Sequence, residues 1–107
     1  MAKARPELVD YFASEFCQLG VVEVKHFFGG WQFRCGGKQF AAYIRDTLYF
    51  RVDAELRAAL EARGSEPFWY DKQGKIVTVT GYQSAPDSAL DDGDELLLWA
   101  ARAIEVK

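Results

Sequence analysis

The chain has 107 residues, half of them apolar, and a formal net charge of −3. A chain of this size buries roughly two thirds of the surface that it exposes when unfolded, so we expect one globular domain over residues 1–107. Residues 21–52 carry five bases and two acids, whereas residues 53–107 carry six bases and eleven acids. An acidic chain with no basic run is a poor match for direct nucleic-acid binding, which we do not expect.

The first predicted element is a helix over residues 6–19. Leu8, Phe12 and Phe16 recur near helical spacing in this segment. Gly20 follows them and is a natural C-terminal stop.

A period of two begins at Val21 and predicts a run of β-strands. The pairs Gly29-Gly30 and Gly36-Gly37 are typical of tight hairpins, and Asp46-Thr47 predicts a third turn. A meander of antiparallel strands is therefore expected. The four predicted strands cover residues 21–27, 31–35, 38–45 and 48–51.

The second half begins with a short helix that Asp53 is predicted to cap and that Gly64 ends. Its expected buried stripe is Leu56, Ala59 and Leu60. The aromatic segment 68–70 and the β-branched segment 76–80 flank a polar loop that contains a glycine, which predicts a second hairpin. This hairpin is expected to extend the same sheet.

Asp92 is predicted to cap the last helix, which has acids in its first turn. The predicted order is therefore α-β4-α-β2-α. Runs of adjacent strands favour the α+β class over alternating βα units. We predict a two-layer sandwich in which helices cover one face of an antiparallel sheet.

The sequence offers no constellation that predicts an enzyme, a cofactor or a metal site. His26 is the only histidine, and no serine lies in a hydrolase elbow. The spacing of the acidic cluster does not follow an EF-hand, so helix capping and a solvated turn explain it better. That cluster comprises Asp87, Asp91, Asp92, Asp94 and Glu95.

No apolar run approaches the roughly 20 residues of a membrane helix. The charged residues Glu7 and Asp10 also argue against a signal peptide. We therefore expect a soluble, cytoplasmic protein. Cys17 and Cys35 are too few for a disulfide scaffold or a zinc site, and Cys17 is predicted to be a small buried residue on a helix.

The aromatic residues are more numerous than one face of a small sheet obviously absorbs. Adjacent strand residues point to opposite faces, so Phe27 and Phe28 are expected to diverge, as are Phe68 and Trp69. We predict that at least one of Phe28, Trp31 and Trp69 is partly exposed. An exposed aromatic patch would mark a partner surface.

Several short motifs, in this order and spacing, resemble the N-terminal domain of the TfoX/Sxy competence regulators. They include Phe27-Phe28-Gly29-Gly30, Trp31-Gln32-Phe33, Phe40-Ala41-Ala42, residues 48–53, residues 64–68 and Gly81-Tyr82. The resemblance covers nearly the whole chain and is to the stand-alone members of the family. It implies a fold similar to secretion-chaperone-like domains and a role in regulating DNA uptake and transformation, in concert with a transcription factor.

The leading hypothesis is a non-enzymatic regulatory or adaptor domain that binds a protein partner. Its predicted contact residues are Phe28, Gly29, Gly30 and Trp31. A small-ligand-binding domain with an aromatic pocket near Tyr43, Tyr49 and Trp69 is the alternative. A third hypothesis, DNA binding, would use Lys25, Arg34, Lys38, Arg45 and Arg51 and would show steep salt dependence. Formation of a homodimer through an uncovered sheet face is left open.

Overall fold

The computed structural model describes residues 6–106, in which a six-stranded antiparallel sheet is accompanied by four helices. The sheet order is β1-β2-β3-β4-β6-β5, so β1 and β5 are the edge strands. The strands are β1 Val22–Phe27, β2 Gly30–Cys35, β3 Lys38–Ile44, β4 Thr47–Arg51, β5 Pro67–Lys72 and β6 Lys75–Ser84. The helices are α1 Glu7–Phe16, α2 Ala54–Glu61, α3 Asp87–Leu90 and α4 Gly93–Ile104. The predicted α+β class and antiparallel sheet are confirmed, while the short helix α3 was not predicted.

The hairpin turns share one backbone conformation. Each has two central residues, and both have a positive φ angle. This is the type I′ geometry, whose twist matches that of the flanking strands. The pairs are Phe28-Gly29, Gly36-Gly37, Arg45-Asp46 and Gln73-Gly74. The first and third turns therefore each lie one residue earlier than predicted, since Gly30 begins β2 and Thr47 begins β4.

The main core lies between the sheet and the helices α1 and α4. Phe12 and Phe16 of α1 pack against Phe33 in β2, and Leu96 of α4 is fully buried in the same cluster. A bulge opposite Phe33 shifts the β2–β3 register, so the adjacent residues Phe40 and Ala41 both belong to this cluster. Bulges place two residues of one strand against one residue of its partner.

A second cluster lies on the sheet face away from the helices. It joins Ala42, Ile44 and Tyr49 of the sheet to Phe68 of β5, which is 3 % exposed. The register explains this position: Pro67 pairs with Gln83, but the next residue, Phe68, pairs with Val79. The extra residues bend β6 and turn the β5–β6 hairpin toward this face. The sequence analysis predicted helices on one face of the sheet but did not predict this second apolar cluster on the other face.

The helix ends agree with the sequence signals in most places. The Asp53 carboxylate accepts from the Leu56 N–H at 2.8 Å, and Asp92 accepts from the N–H groups of the first turn of α4, so both predicted caps are confirmed. Pro6 precedes α1 rather than lying within its first turn. The prediction of a buried Cys17 is wrong, because α1 ends at Phe16 and the thiol is exposed in a short 3-10 turn. None of the helices between residues 6 and 106 has the length and apolar character needed to cross a membrane.

Candidate protein-contact surface

Three segments that are distant in sequence meet at one end of the sheet. The β1–β2 turn brings Phe28, the β3–β4 turn brings Arg45, and β5 brings Trp69 and Tyr70. These four residues form two contacting pairs, Phe28 with Tyr70 and Arg45 with Trp69, which Phe68 links, and we call them the aromatic–arginine surface. Phe28 and Trp69 are 63 % and 43 % exposed, which confirms the prediction of a partly exposed aromatic residue.

Phe28 has an uncommon backbone conformation for an aromatic residue, with φ at +48°. Left-handed geometry costs a non-glycine residue roughly 1–2 kcal/mol. Its ring stacks on Tyr70 at 5.8 Å and meets Phe27 edge-on at 4.8 Å. The expected divergence of Phe27 and Phe28 is therefore wrong, because Phe28 belongs to the turn and not to the strand. Because its strained backbone presents a ring that is 63 % exposed, Phe28 is a candidate contact residue.

Arg45 joins the β3–β4 turn to the β5–β6 hairpin. Its Cζ atom lies 4.1 Å from the centroid of the Trp69 ring and 5.4 Å from that of Phe68. The Arg45 Nη2 group also donates a hydrogen bond to the Trp69 carbonyl oxygen. Stacking on two rings and a hydrogen bond hold the guanidinium in one position. Phe68 and Trp69 do diverge as predicted, since Trp69 lines a shallow hollow outside the hairpin with Ile76 and Thr78.

Trp31 does not share this surface. It packs against the helix-side core, and its ring lies 4.1 Å from the His26 ring, whereas Phe28 contacts the opposite cluster. The four residues predicted as one contact site thus fall on two sides of the sheet. Gly29 lies in the turn with φ at +73°, and Gly30 is buried against β3. Of the two predicted contact residues that carry a side chain, Phe28 is exposed and Trp31 is half-buried.

The three residues of the alternative ligand pocket are not brought together. Tyr43 belongs to the helix-side core and Tyr49 to the opposite cluster, because Tyr43 pairs with Leu48, the neighbour of Tyr49. Trp69 lies outside both clusters, on the outer side of the hairpin. No single cavity is lined by these three side chains in the part of the chain that the structure describes.

Three of the five basic residues of the DNA hypothesis share one face of the sheet, and two of the five make contacts within the chain. Strand alternation puts Lys25, Arg34 and Arg51 on the face away from the helices. Arg34 donates to Gln32 at 3.3 Å and to the Gly37 carbonyl oxygen, and Arg45 is stacked on Trp69. Two of the candidate cations are therefore already held by contacts within the chain.

Two tyrosines of the sheet have pKa values above the ordinary value. Burial first, and then the Asp46 carboxylate, raise the pKa of Tyr43 above its ordinary value. Burial likewise raises the pKa of Tyr82, whose hydroxyl donates to Gln39 Oε1. Both hydroxyls are thus protonated at neutral pH and act as hydrogen-bond groups. Among residues 6–106, no three histidine, cysteine or acidic side chains are placed to hold a metal ion.

The family model described as the TfoX N-terminal domain matches residues 14–107. The chain belongs to this family. No curated protein matches the chain in sequence. In this TfoX N-terminal domain, the segment Phe27-Phe28-Gly29-Gly30, on which the resemblance partly rested, includes the turn that carries the exposed Phe28 ring. The likeness to secretion-chaperone folds stays a prediction.

Sequence reasoning missed Arg45 and Tyr70 as parts of the surface. Arg45 lies 24 residues from Trp69, and their contact depends on the bend in β6. The local sequence does carry one signal, because Arg45 and Asp46 are turn residues between two strands. Nothing in that signal indicates which way the guanidinium points.

Proposed function

We propose that this domain is a non-enzymatic regulatory adaptor of the TfoX type, which acts on DNA uptake and transformation by binding a protein partner. The observation that carries the proposal is the exposed Phe28 ring, which a strained turn holds against Phe68, the same ring that Arg45 contacts. Family membership supports the regulatory role. The partner could be a transcription factor, as the family resemblance implies.

The chemistry of the surface supports a protein as the partner. Tyrosine, tryptophan, phenylalanine and arginine are enriched at protein interfaces, and tryptophan, tyrosine and arginine dominate their hot spots. Arg45 is held in place by Trp69 before any partner binds. An ordered arginine and aromatic pair loses little conformational entropy on binding. Catalysis has no part in the proposal.

The variant Phe28→Asn tests the proposal without unfolding the protein. Asparagine tolerates positive φ, so relief of backbone strain offsets the lost ring contacts, and stability should change by no more than about 1 kcal/mol. We expect the variant to lose most of its partner binding. Leu98→Ala is the matched control, because Leu98 is 69 % exposed on α4 and lies outside the surface.

Two measurements read out the result. Proteins captured by the wild type are quantified beside those captured by each variant, and the gene is replaced by each variant in its own cells to measure transformation frequency. The expected pattern is loss with Phe28→Asn and retention with Leu98→Ala. Equal capture and equal transformation with Phe28→Asn would contradict the proposal.

A further inference from the structure

The two edges of the sheet differ in how they are protected against pairing with another strand. β5 begins with Pro67, which has no N–H, its register shifts at the next residue, and its Trp69 carbonyl already accepts from Arg45. β1 has no proline and a regular register against β2 over all six residues. Regular edge strands with free backbone groups are templates for a further strand. β1 is therefore the accessible edge.

The turn that follows β1 determines which backbone groups are free. Phe27 and Gly30 close the two-residue turn and form a hydrogen-bonded pair. Such pairs alternate along an antiparallel ladder, so the N–H and C=O groups of Val22, Val24 and His26 point away from β2. The His26 carbonyl accepts instead from the Gln32 side chain at 3.2 Å, and its second lone pair is available.

The charges on β1 make the edge complementary to itself in one register. Glu23 and Lys25 are exposed and alternate with Val22, Val24 and His26. A two-fold axis at Glu23 or at Lys25 would place like charges against each other. An axis at Val24 pairs Val24 with its own copy through backbone hydrogen bonds. It also places Glu23 opposite Lys25 of the partner subunit, and Lys25 opposite Glu23 of the partner subunit.

We propose that two copies of this chain form a homodimer by antiparallel pairing of their β1 strands about a two-fold axis at Val24. The Glu23 and Lys25 pairs fall at non-hydrogen-bonded positions, where facing side chains approach most closely. Opposite charges at such positions stabilise a sheet and like charges destabilise it. The occupant of the β1 edge is therefore a second copy, and the two sheets become continuous. This inference does not depend on the proposed function.

Charge reversal in trans tests both the dimer and its register. Glu23→Lys leaves bases at both positions, and Lys25→Glu leaves acids at both. Each variant alone should dimerise at least about tenfold more weakly than the wild type, because both cross-strand pairs become repulsive. An equimolar mixture should dimerise at least as well as the wild type. Sedimentation equilibrium across a concentration series measures all three dissociation constants.

A backbone variant tests the strand pairing itself. Val24→Pro removes an N–H that points away from β2, and proline is tolerated at such edge positions. It should abolish the dimer while the monomer keeps its circular dichroism spectrum. Because Glu23 also lies opposite Arg34 within the monomer, thermal unfolding is recorded for every variant. Trp69→Ser, on the aromatic–arginine surface, should dimerise like the wild type even if it loses partner binding.

The outcomes separate the proposal from its alternatives. A wild-type protein that stays monomeric up to about 1 mM, the range of the weakest specific contacts, overturns it. A dimer that survives Val24→Pro overturns the strand pairing. Single reversals that dimerise normally, or a mixture that does not recover dimerisation, overturn the Val24 register.

Discussion

Gly29 and Gly30 are adjacent in the family motif but lack a side chain for different physical reasons. Gly29 has φ at +73° and nothing within 4 Å of an added Cβ atom. Gly30 has no such backbone requirement, but an added Cβ would overlap the Tyr43 carbonyl oxygen and approach the Ile44 Cα to 3.1 Å. Gly29 is therefore constrained by conformation, and Gly30 by the close passage of β3.

Substitution by asparagine distinguishes the two reasons. Asparagine tolerates the left-handed region, so Gly29→Asn should change the free energy of unfolding by less than about 1 kcal/mol. Gly30→Asn must push apart two backbones and should cost about 3 kcal/mol, at the upper end of overpacking penalties. Urea unfolding curves of the two variants measure the difference. Equal costs at both positions would contradict this assignment.

At the scale of the elements, Glu95 ties together three segments of the helical layer. Its Oε2 atom accepts from Trp99 Nε1 in the same helix at 3.1 Å and from Ser88 Oγ in α3 at 2.8 Å. It also lies 3.5 Å from Arg63 Nη2, just beyond α2. The bond from Trp99, then that from Ser88, lower the pKa of this carboxyl below its ordinary value of 4.5.

Glu95→Gln should therefore lower the melting temperature at pH 7. A carboxyl whose pKa is lower in the folded state stabilises the fold above its unfolded pKa, and this contribution is lost as the pH falls through the folded value. The difference in melting temperature between Glu95→Gln and the wild type should thus become smaller as the pH falls from about 5 to about 3. Asp94→Asn, a change in an exposed acid of the same turn, is the control. A difference that does not change with pH would contradict the role of the Glu95 charge.

The sequence predicted those elements whose signals are local. Alternating apolar residues and glycine pairs located the strands, and Asp53 and Asp92 located two helix starts, because each signal acts within a few residues. Cys17 was misplaced because the helical spacing continues past the point where α1 ends. The direction of the Phe28 ring could not be predicted, because a shift of one residue in the end of β1 changes the side of the sheet to which a side chain points.

The contact surface depends on a long-range feature that no local pattern carries. Phe68 and Tyr70 reach Phe28 only because the register between β5 and β6 jumps by several residues. Val79 and Tyr82, which lie within or next to the irregular part of β6, pack against the second cluster. Tertiary packing of this kind overrides strand propensity. The sequence therefore identified Phe28 as part of the surface but did not identify Arg45 and Tyr70.

At the scale of the whole molecule, Arg45 connects the β5–β6 hairpin to the β3–β4 turn at one end of the sheet. The hairpin is also held by the second cluster, by pairing with β4 through residues 82–84, and by a hydrogen bond from the Val52 N–H to the Gly81 carbonyl oxygen. Its tip, at Gln73 and Gly74, is exposed. Loss of the Arg45 contacts should therefore increase local opening of the hairpin more than global unfolding.

Arg45→Ala should destabilise the protein by about 1–2 kcal/mol, the sum of a cation–π contact and a hydrogen bond. Amide hydrogen exchange should become faster in β5 and in residues 75–80, and should change little in β2 and β3, which are interior strands away from the hairpin. Arg45→Lys keeps the charge but loses the planar stacking on Trp69, so it should give an intermediate effect. Lys75→Ala, at the tip of the hairpin, controls for a change of charge alone. If amide hydrogen exchange rose equally in all strands with Arg45→Ala, Arg45 would stabilise the whole domain and would not act specifically on this hairpin.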